Sequence, residues 1–226
     1  MDAPCCPVAA PGPSRVSGVP IFTRDERALL FVHVPKTGGT TIERMLMRAG
    51  WEVGFRATPH THPASIRLHR VSPQHYHATL LEQTLRLDRF ESTFLVVRDP
   101  LARFRSEYAM RNKRHEAAGS AAHVEEWTRS IVRRLARNPC VLDNHLRPQH
   151  EFLVPGARIF RLEEGMESIV RTLDADLGLG LAAEVPVQLR SGRDGHISSS
   201  QVETNQFVEG WVREHYARDY AELGYA

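Results

Sequence analysis

The stretch ALLFVHVPKTGGTTIERMLMRAG, residues 28–50, decides the fold. Its first seven residues form a short apolar run rich in strand-forming types, which predicts a buried strand. The segment PKTGGT, residues 35–40, interrupts that strand because proline and adjacent glycines break regular structure. After it, Ile42, Met45 and Leu46 fall on one face of a helix that ends near Gly50. The stretch therefore predicts a strand, a glycine-rich turn and a helix in succession.

The glycine-rich turn has the features of an anion-binding site. Between a strand and a helix, such a turn directs backbone N–H groups and the helix N-terminus toward one point, which suits phosphate. Lys36 adds a positive charge, and Thr40 and Thr41 add hydroxyl donors at the helix start. The nucleotide-hydrolase pattern GxxxxGK[ST] places its lysine after the glycines, whereas Lys36 precedes them. The residues alone leave open a phosphate-binding loop or a tight turn with a solvated lysine.

Further along the chain, apolar runs alternate with helical patterns. Strands are predicted at Ser92–Val97 and Ala157–Leu162, and a helix capped by Asp99 follows the first of them. Other helices are predicted to begin at Ser72-Pro73 and to span Glu125–Arg137, Met166–Leu177 and Ser200–Tyr220. This alternation predicts an α/β, three-layer domain with a central parallel sheet. Residues 1–20 are expected to be a flexible Pro-rich tail, 51–71 a loop, and 21–226 a single domain.

Composition excludes several classes of protein. The chain has 226 residues, 42% of them hydrophobic, and its 29 basic and 27 acidic side chains give a formal net charge of only +2. That balance provides no whole-molecule field for a nucleic acid, so no nucleic-acid partner is expected. Three cysteines do not make a disulfide framework. The sequence shows neither a signal peptide nor a transmembrane segment, so we expect a cytoplasmic protein, or a Golgi-luminal one if an anchor precedes this chain.

A second anion-binding arrangement is predicted where the strand Ser92–Val97 ends. Arg98 would stand at the edge of the sheet, where open α/β folds bind ligands, and Ser106 follows eight residues later on the next helix. A guanidinium and a hydroxyl in these positions can converge on one anion. The residues also allow Arg98 to pair with Asp99 or another neighbouring acid.

Four segments resemble, in the same order, the signature segments of a known enzyme family. They are PKTGGT (35–40), HYHAT (75–79), RDPLARFRSEY (98–108) and DNHLRPQHEFL (143–153). The first and third resemble the two phosphosulfate-binding signatures of the carbohydrate sulfotransferases related to heparan 2-O- and chondroitin 4-O-sulfotransferases and their bacterial relatives. The fourth has Leu146 where that family usually has tryptophan. The resemblance extends from about residue 28 to the C-terminal YARDYAELGY.

The resemblance implies transfer of a sulfuryl group from 3′-phosphoadenosine 5′-phosphosulfate (PAPS) to an acceptor hydroxyl, without a metal. It implies that a P-loop-like loop binds the 5′-phosphosulfate and that Arg98 with Ser106 binds the 3′-phosphate. Lys36 would neutralise the charge on the leaving oxygen during in-line transfer. The implied donor contacts, including two arginines of a loop that closes over the nucleotide, are Lys36, Thr37, Gly38, Gly39, Thr40, Thr41, Arg98, Ser106, Arg190 and Arg193.

A histidine is expected to take the proton of the acceptor hydroxyl, because a neutral imidazole is a natural base near pH 7. His77 is the first candidate, since it lies 21 residues before Arg98, close to the spacing of the family's catalytic histidine. His75 is the second candidate, and on one helix the two side chains would point in different directions. Arg147 is implied to face the acceptor.

Other polar clusters have plainer interpretations. His60, His62 and His69 could resemble metal ligands, but no cysteine or paired-carboxylate spacing completes a site, so solvated loop histidines are expected. The basic helix face between Arg129 and Arg137 is either solvated or contacts an acidic polysaccharide. The acidic pair at 163–164 could act as a second base or as a structural partner.

The sequence leaves the acceptor and the oligomeric state open. A glycan or a glycosylated small molecule is the expected acceptor, by resemblance. Two other functions remain: a P-loop-type kinase or nucleotide-binding protein, and a non-catalytic module that binds acidic glycans. The position of Lys36 and the lack of a clear Mg²⁺ carboxylate after a strand disfavour the first. The presence of Lys36, His77, Arg98 and Ser106 together disfavours the second.

Overall fold

The computed structural model describes residues 21–54, 69–113, 115, 119–182, 185 and 197–226. The predicted tail 1–20 and most of the predicted loop 51–71 lie outside these residues, as do His60, His62, Arg190 and Arg193.

A five-stranded mixed sheet forms the centre of the fold. Its strands are β1 (Ile21–Arg24), β2 (Arg27–Val32), β3 (Glu52–Gly54), β4 (Ser92–Val97) and β5 (Arg158–Arg161). Their order is β3-β1-β2-β4-β5, with β2, β4 and β5 parallel and β1 antiparallel to both of its neighbours. The predicted parallel sheet is therefore correct for three strands only. The tight hairpin from β1 to β2 turns at Asp25, whose φ of 54° is left-handed.

Seven α-helices flank this sheet within the described residues. They are α1 (Gly39–Arg48), α2 (Ala78–Thr84), α3 (Pro100–Asn112), α4 (Ala121–Leu135), α5 (Met166–Leu177), α6 (Gln206–His215) and α7 (Ala217–Leu223). The predicted bounds of α5 are confirmed, and Asp99 caps α3 by accepting a hydrogen bond from the backbone N–H of Ala102 at 2.7 Å. In the part of the chain that the structure covers, none of the helices is both long and apolar enough to span a bilayer.

Two predicted helices are divided in the structure. The helix expected from Ser72-Pro73 becomes a 3₁₀ turn at Pro73–His75 and then α2, because the backbone of Tyr76 and His77 is extended. The helix expected at 200–220 becomes a 3₁₀ turn at Ser199–Gln201 followed by α6 and α7. Asn205 sets the start of α6, since its side chain accepts from the backbone N–H of Val208.

Helices cover both faces of the sheet, so the predicted three-layer arrangement is observed. On one face, Phe31, Phe94 and Val96 pack with buried side chains of α1 and α5. On the other face, Leu30 and Leu95 pack with side chains of α2, α7 and the 3₁₀ turn Gln149–Phe152. A third cluster joins α3, α4 and α6. Because the parallel strands β2 and β4 end at the same edge, the segments that follow them are brought together there.

Candidate active site

The loop between β2 and α1 leaves the start of the helix uncapped by any side chain. Gly38 occupies the N-cap position with φ 86°, and the preceding Lys36 also has a left-handed backbone, with φ 71°. A Cβ built on Gly39 would lie 2.5 Å from Nε2 of His33, so only glycine allows this close approach. Thr37 is buried, and its hydroxyl donates to the Val34 carbonyl at 2.8 Å. The loop therefore has the free helical N–H groups that an anion requires.

Arg98 follows β4 and connects this loop to the segment 143–153. Its backbone N–H donates to Oε1 of Gln149 at 2.9 Å, and Nε2 of Gln149 donates back to the Arg98 carbonyl at 2.7 Å. The Arg98 guanidinium donates to the Lys36 carbonyl at 3.4 Å. Ser106 lies half-buried on α3, and its hydroxyl has no hydrogen-bond partner within the described ranges. Three of the four recognised segments thus meet at one edge of the sheet.

Arg103 holds these segments together, a role that was not predicted from the sequence. Its side chain is 1% exposed and lies over the ring of Tyr216, at 5.0 Å. The guanidinium donates to the carbonyls of His145 at 3.0 Å and Arg147 at 2.7 Å, with a longer bond of 3.5 Å to the Pro35 carbonyl. A buried arginine that binds carbonyls of both loops fixes the loop 35–41 relative to the segment 143–153. Its place in the RDPLAR segment was the available signal.

The Lys36 ammonium lies beside α3, near a buried carboxylate. Its Nζ is 3.3 Å from Sδ of Met110. Burial lowers the pKa of Lys36, and the charge of Glu107 opposes that shift. Glu107 is fully buried and accepts hydrogen bonds from Arg111 and from Nδ1 of His145, each at 2.7 Å. Burial favours the neutral form of Glu107, but these bonds outweigh it and lower its pKa to about 2, so a buried negative charge faces Lys36.

His75 is a buried neutral histidine in a row of three imidazoles. Its ring contacts those of His33 and His145 edge-on, at centroid distances of 5.4 and 4.6 Å. Its Nδ1 lies 2.8 Å from Oδ2 of Asp143. Burial lowers the pKa of His75 to about 4, although the bond to Asp143 opposes the shift. His33 is held in a similar way, with its Nδ1 2.7 Å from Oε1 of Glu43.

His77 stands apart from that row, at the N-cap of α2. Since its backbone is extended, it does not share a helix with His75, and the expectation of two histidines on one helix is wrong. The side chain is half-buried, and its buried Nδ1 has no hydrogen-bond partner among the residues described. Burial, reinforced by the charge of Arg147, lowers the pKa of His77 below its ordinary value. Arg147 is ion-paired with Glu151.

The candidate metal ligands differ from those considered in the sequence. His75, Asp143 and His145 place potential ligand atoms within 4.8 Å of one another. In this structure the Asp143 carboxylate accepts hydrogen bonds from His75 and from the backbone and hydroxyl of Ser72, which a metal would have to displace. His69 is exposed. Glu163 accepts from the backbone N–H of Asp99 at 2.8 Å and from the hydroxyl of Tyr225, which supports a structural role for it.

The edge of the parallel strands thus carries an uncapped helix start, two cationic side chains, Lys36 and Arg98, and a row of histidines, which are the features of an anion-binding site in an α/β protein. The profile of the sulfotransferase family matches residues 19–226, and the chain belongs to that family, whose enzymes use PAPS and include carbohydrate sulfotransferases. No curated protein and no solved structure matches the chain. The predicted family is thereby confirmed over most of the sequence.

Proposed function

We propose that the chain transfers a sulfuryl group from PAPS to a hydroxyl of a carbohydrate, with His77 as the general base. The observation that carries this proposal is the convergence of the loop 35–41, Arg98 and the segment 143–153 at one sheet edge, through the bonds of Gln149 and Arg103. A donor with two anionic groups fits an edge that offers two groups of anion-binding residues.

The donor is bound at both of its anionic ends. The P-loop-like loop binds the 5′-phosphosulfate through backbone N–H groups at 37–40, the hydroxyls of Thr40 and Thr41, and the Lys36 ammonium. Thr37 contributes its backbone N–H, since its hydroxyl already bonds Val34. The 3′-phosphate lies against Arg98 and the unpaired hydroxyl of Ser106.

In the transfer step, the acceptor oxygen forms a bond to sulfur while the bond from sulfur to the 5′-phosphate oxygen breaks. The acceptor proton passes to His77, and adenosine 3′,5′-bisphosphate leaves with the electron pair of the broken bond. Lys36 neutralises the charge that develops on the leaving oxygen, as a positioned cation does in phosphoryl transfer. The buried charge of Glu107 supports this role because it favours the protonated ammonium.

His77 is preferred over His75 as the base for reasons of access. His75 is 7% exposed and its Nδ1 is engaged by Asp143, whereas the side chain of His77 is only half-buried. The lowered pKa of His77 keeps its imidazole neutral at pH 7, as a base requires. Arg147 and Glu151 lie beside it and would contact the hydroxyl-rich acceptor.

Two measurements test this proposal. Calorimetry should show binding of adenosine 3′,5′-bisphosphate and not of ATP, and radiolabelled PAPS should label a member of a panel of glycans and small hydroxyl compounds. Tight ATP binding with no heat from the bisphosphate would favour the kinase alternative, and bisphosphate binding without any transfer would favour a non-catalytic module.

The His77→Ala variant tests the base. Transfer should fall about 10²–10⁴-fold, the contribution typical of general base catalysis, while bisphosphate affinity stays unchanged. The exposed His69→Ala variant is the matched control and should retain full activity. An active His77→Ala enzyme would assign the base elsewhere, with His75 the next candidate.

A further inference from the structure

The turn at 142–144 has an unusual backbone. Leu142, Asp143 and Asn144 have φ values of 56°, 61° and 62°. Left-handed backbone is unfavourable for residues with a Cβ and usually occurs at single positions, so three in succession must be compensated by contacts that the turn makes. The turn lies between α4 and the segment that carries Gln149, and Asn144 is fully buried.

One set of contacts holds the segment that carries the histidines. Asp143 accepts hydrogen bonds from the backbone N–H of Ser72 at 2.6 Å, from the Ser72 hydroxyl, and from Nδ1 of His75 at 2.8 Å. Nδ2 of Asn144 donates to the His75 carbonyl at 2.9 Å. The turn therefore binds the 3₁₀ turn Pro73–His75 through backbone and side-chain groups alike, and His77 follows two residues later.

A second set of contacts holds the basic residue beside His77. Oδ1 of Asn144 accepts from Nε of Arg147 at 3.0 Å, and the Arg147 carbonyl accepts from the buried Arg103 at 2.7 Å. The single amide of Asn144 thus joins His75 and Arg147. The left-handed backbone is what lets Asp143 and Asn144, which are adjacent, both face the same 3₁₀ turn.

We propose that Asp143 and Asn144 are positioning residues of the transfer reaction. They act through His75 to fix the positions of His77 and Arg147 relative to each other. This inference rests on the proposed function. An ionised carboxylate can only accept, so Nδ1 of His75 carries the proton and its tautomer is fixed. The contacts of Asn144 fix the His75 backbone, and the direction of the chain at His77 follows from it. The hydrogen bonds of both residues go to residues 72, 75 and 147 and not to the donor loop, so replacing either should change donor binding little.

The test compares Asp143→Ala, Asp143→Asn and Asn144→Gly with wild type. We expect kcat to fall tenfold or more in Asp143→Ala and Asn144→Gly, while the KM for PAPS and the Kd for adenosine 3′,5′-bisphosphate stay within twofold. Asp143→Asn should recover part of the loss because its amide oxygen still accepts. Asp88→Ala removes an exposed aspartate that is ion-paired with Arg86 and Arg89, and it should match wild type.

Nitrogen NMR of the imidazoles adds a readout that loss of stability alone does not give. The wild type should show His75 protonated at Nδ1, and Asn144→Gly, which keeps the glycine-compatible backbone, should keep that tautomer while losing kcat. Unchanged kcat in Asp143→Ala, a parallel loss of kcat and bisphosphate affinity, or protonation of His75 at Nε2 in wild type would each overturn the inference. A wild-type protein without transfer activity would instead overturn the proposed function, and this inference with it.

Discussion

Replacing Arg103 by lysine tests whether one buried guanidinium holds the loop 35–41 and the segment 143–153 together. Lysine retains the charge but cannot reproduce the fork that reaches the carbonyls of His145 and Arg147 at 3.0 and 2.7 Å. Losing one bond from a charged donor costs about 1.5–3 kcal/mol. Weakening the cation–π contact with Tyr216 adds about 0.5–1 kcal/mol. We therefore expect Arg103→Lys to lower the free energy of unfolding by about 2–4 kcal/mol.

Thermal and urea unfolding measure this loss. In a domain of this size the expected fall in Tm is about 4–16 °C. Arg218→Lys, at an exposed arginine whose partner is Glu222 on the same helix, is the control and should change stability by less than about 0.5 kcal/mol. If Arg103→Lys has the same melting temperature as Arg218→Lys, the hydrogen bonds of Arg103 to the carbonyls do not contribute to stability as argued. Bisphosphate affinity should fall as well, because Arg103 also reaches the Pro35 carbonyl of the donor loop.

The remaining predictions concern the close contact under the loop and the effect of acid. Gly39→Ala should destabilise the protein by about 1–3 kcal/mol, because its Cβ would lie 2.5 Å from the His33 ring. Gly210→Ala, in an exposed and open part of α6, should instead stabilise the protein by up to about 1 kcal/mol. Equal melting temperatures for the two variants would contradict this. The folded-state pKa of His75 is lowered from 6.5 to about 4 and that of Glu107 from 4.5 to about 2, so both groups stabilise the fold at neutral pH. Their contributions are lost as pH falls, first between 6.5 and 4 and then between 4.5 and 2, and a Tm that stays constant from pH 7 to pH 3 would refute this assignment.

The parts of the fold predicted from sequence are those with strong local signals. The strand Ser92–Val97 and the helix Met166–Leu177 have the predicted bounds, because each combines an apolar pattern with a clear stop at Arg98 or Gly178. The short strands β1 and β3 were not predicted, since four and three residues carry too weak a pattern. Their antiparallel pairing depends on tertiary contacts that local propensity does not encode.

The candidate site was predicted as a set of motif residues, whereas the contacts that join those residues required the structure. Lys36 and Arg98 could be singled out because their types and positions match anion binding at a strand end. Arg103 and Asp143 stand in two of the recognised segments, yet their hydrogen-bond partners are up to 71 residues away in the sequence. Such long-range hydrogen bonds leave no periodic or local pattern.

The reciprocal hydrogen bonds between Gln149 and residue 98 involve the backbone of residue 98 and not its side chain. The function of the Arg98 side chain can therefore be tested separately from the local fold. Gln149 hydrogen-bonds to the backbone N–H and carbonyl of residue 98, as a neighbouring strand would. These bonds can form with any side chain at position 98. Truncating the guanidinium should therefore remove its long bond to the Lys36 carbonyl, at 3.4 Å, but leave the exchange with Gln149 in place. A variant at position 98 thus reports on ligand recognition with little contribution from misfolding, whereas the chemically similar arginine at 103 does not offer this separation.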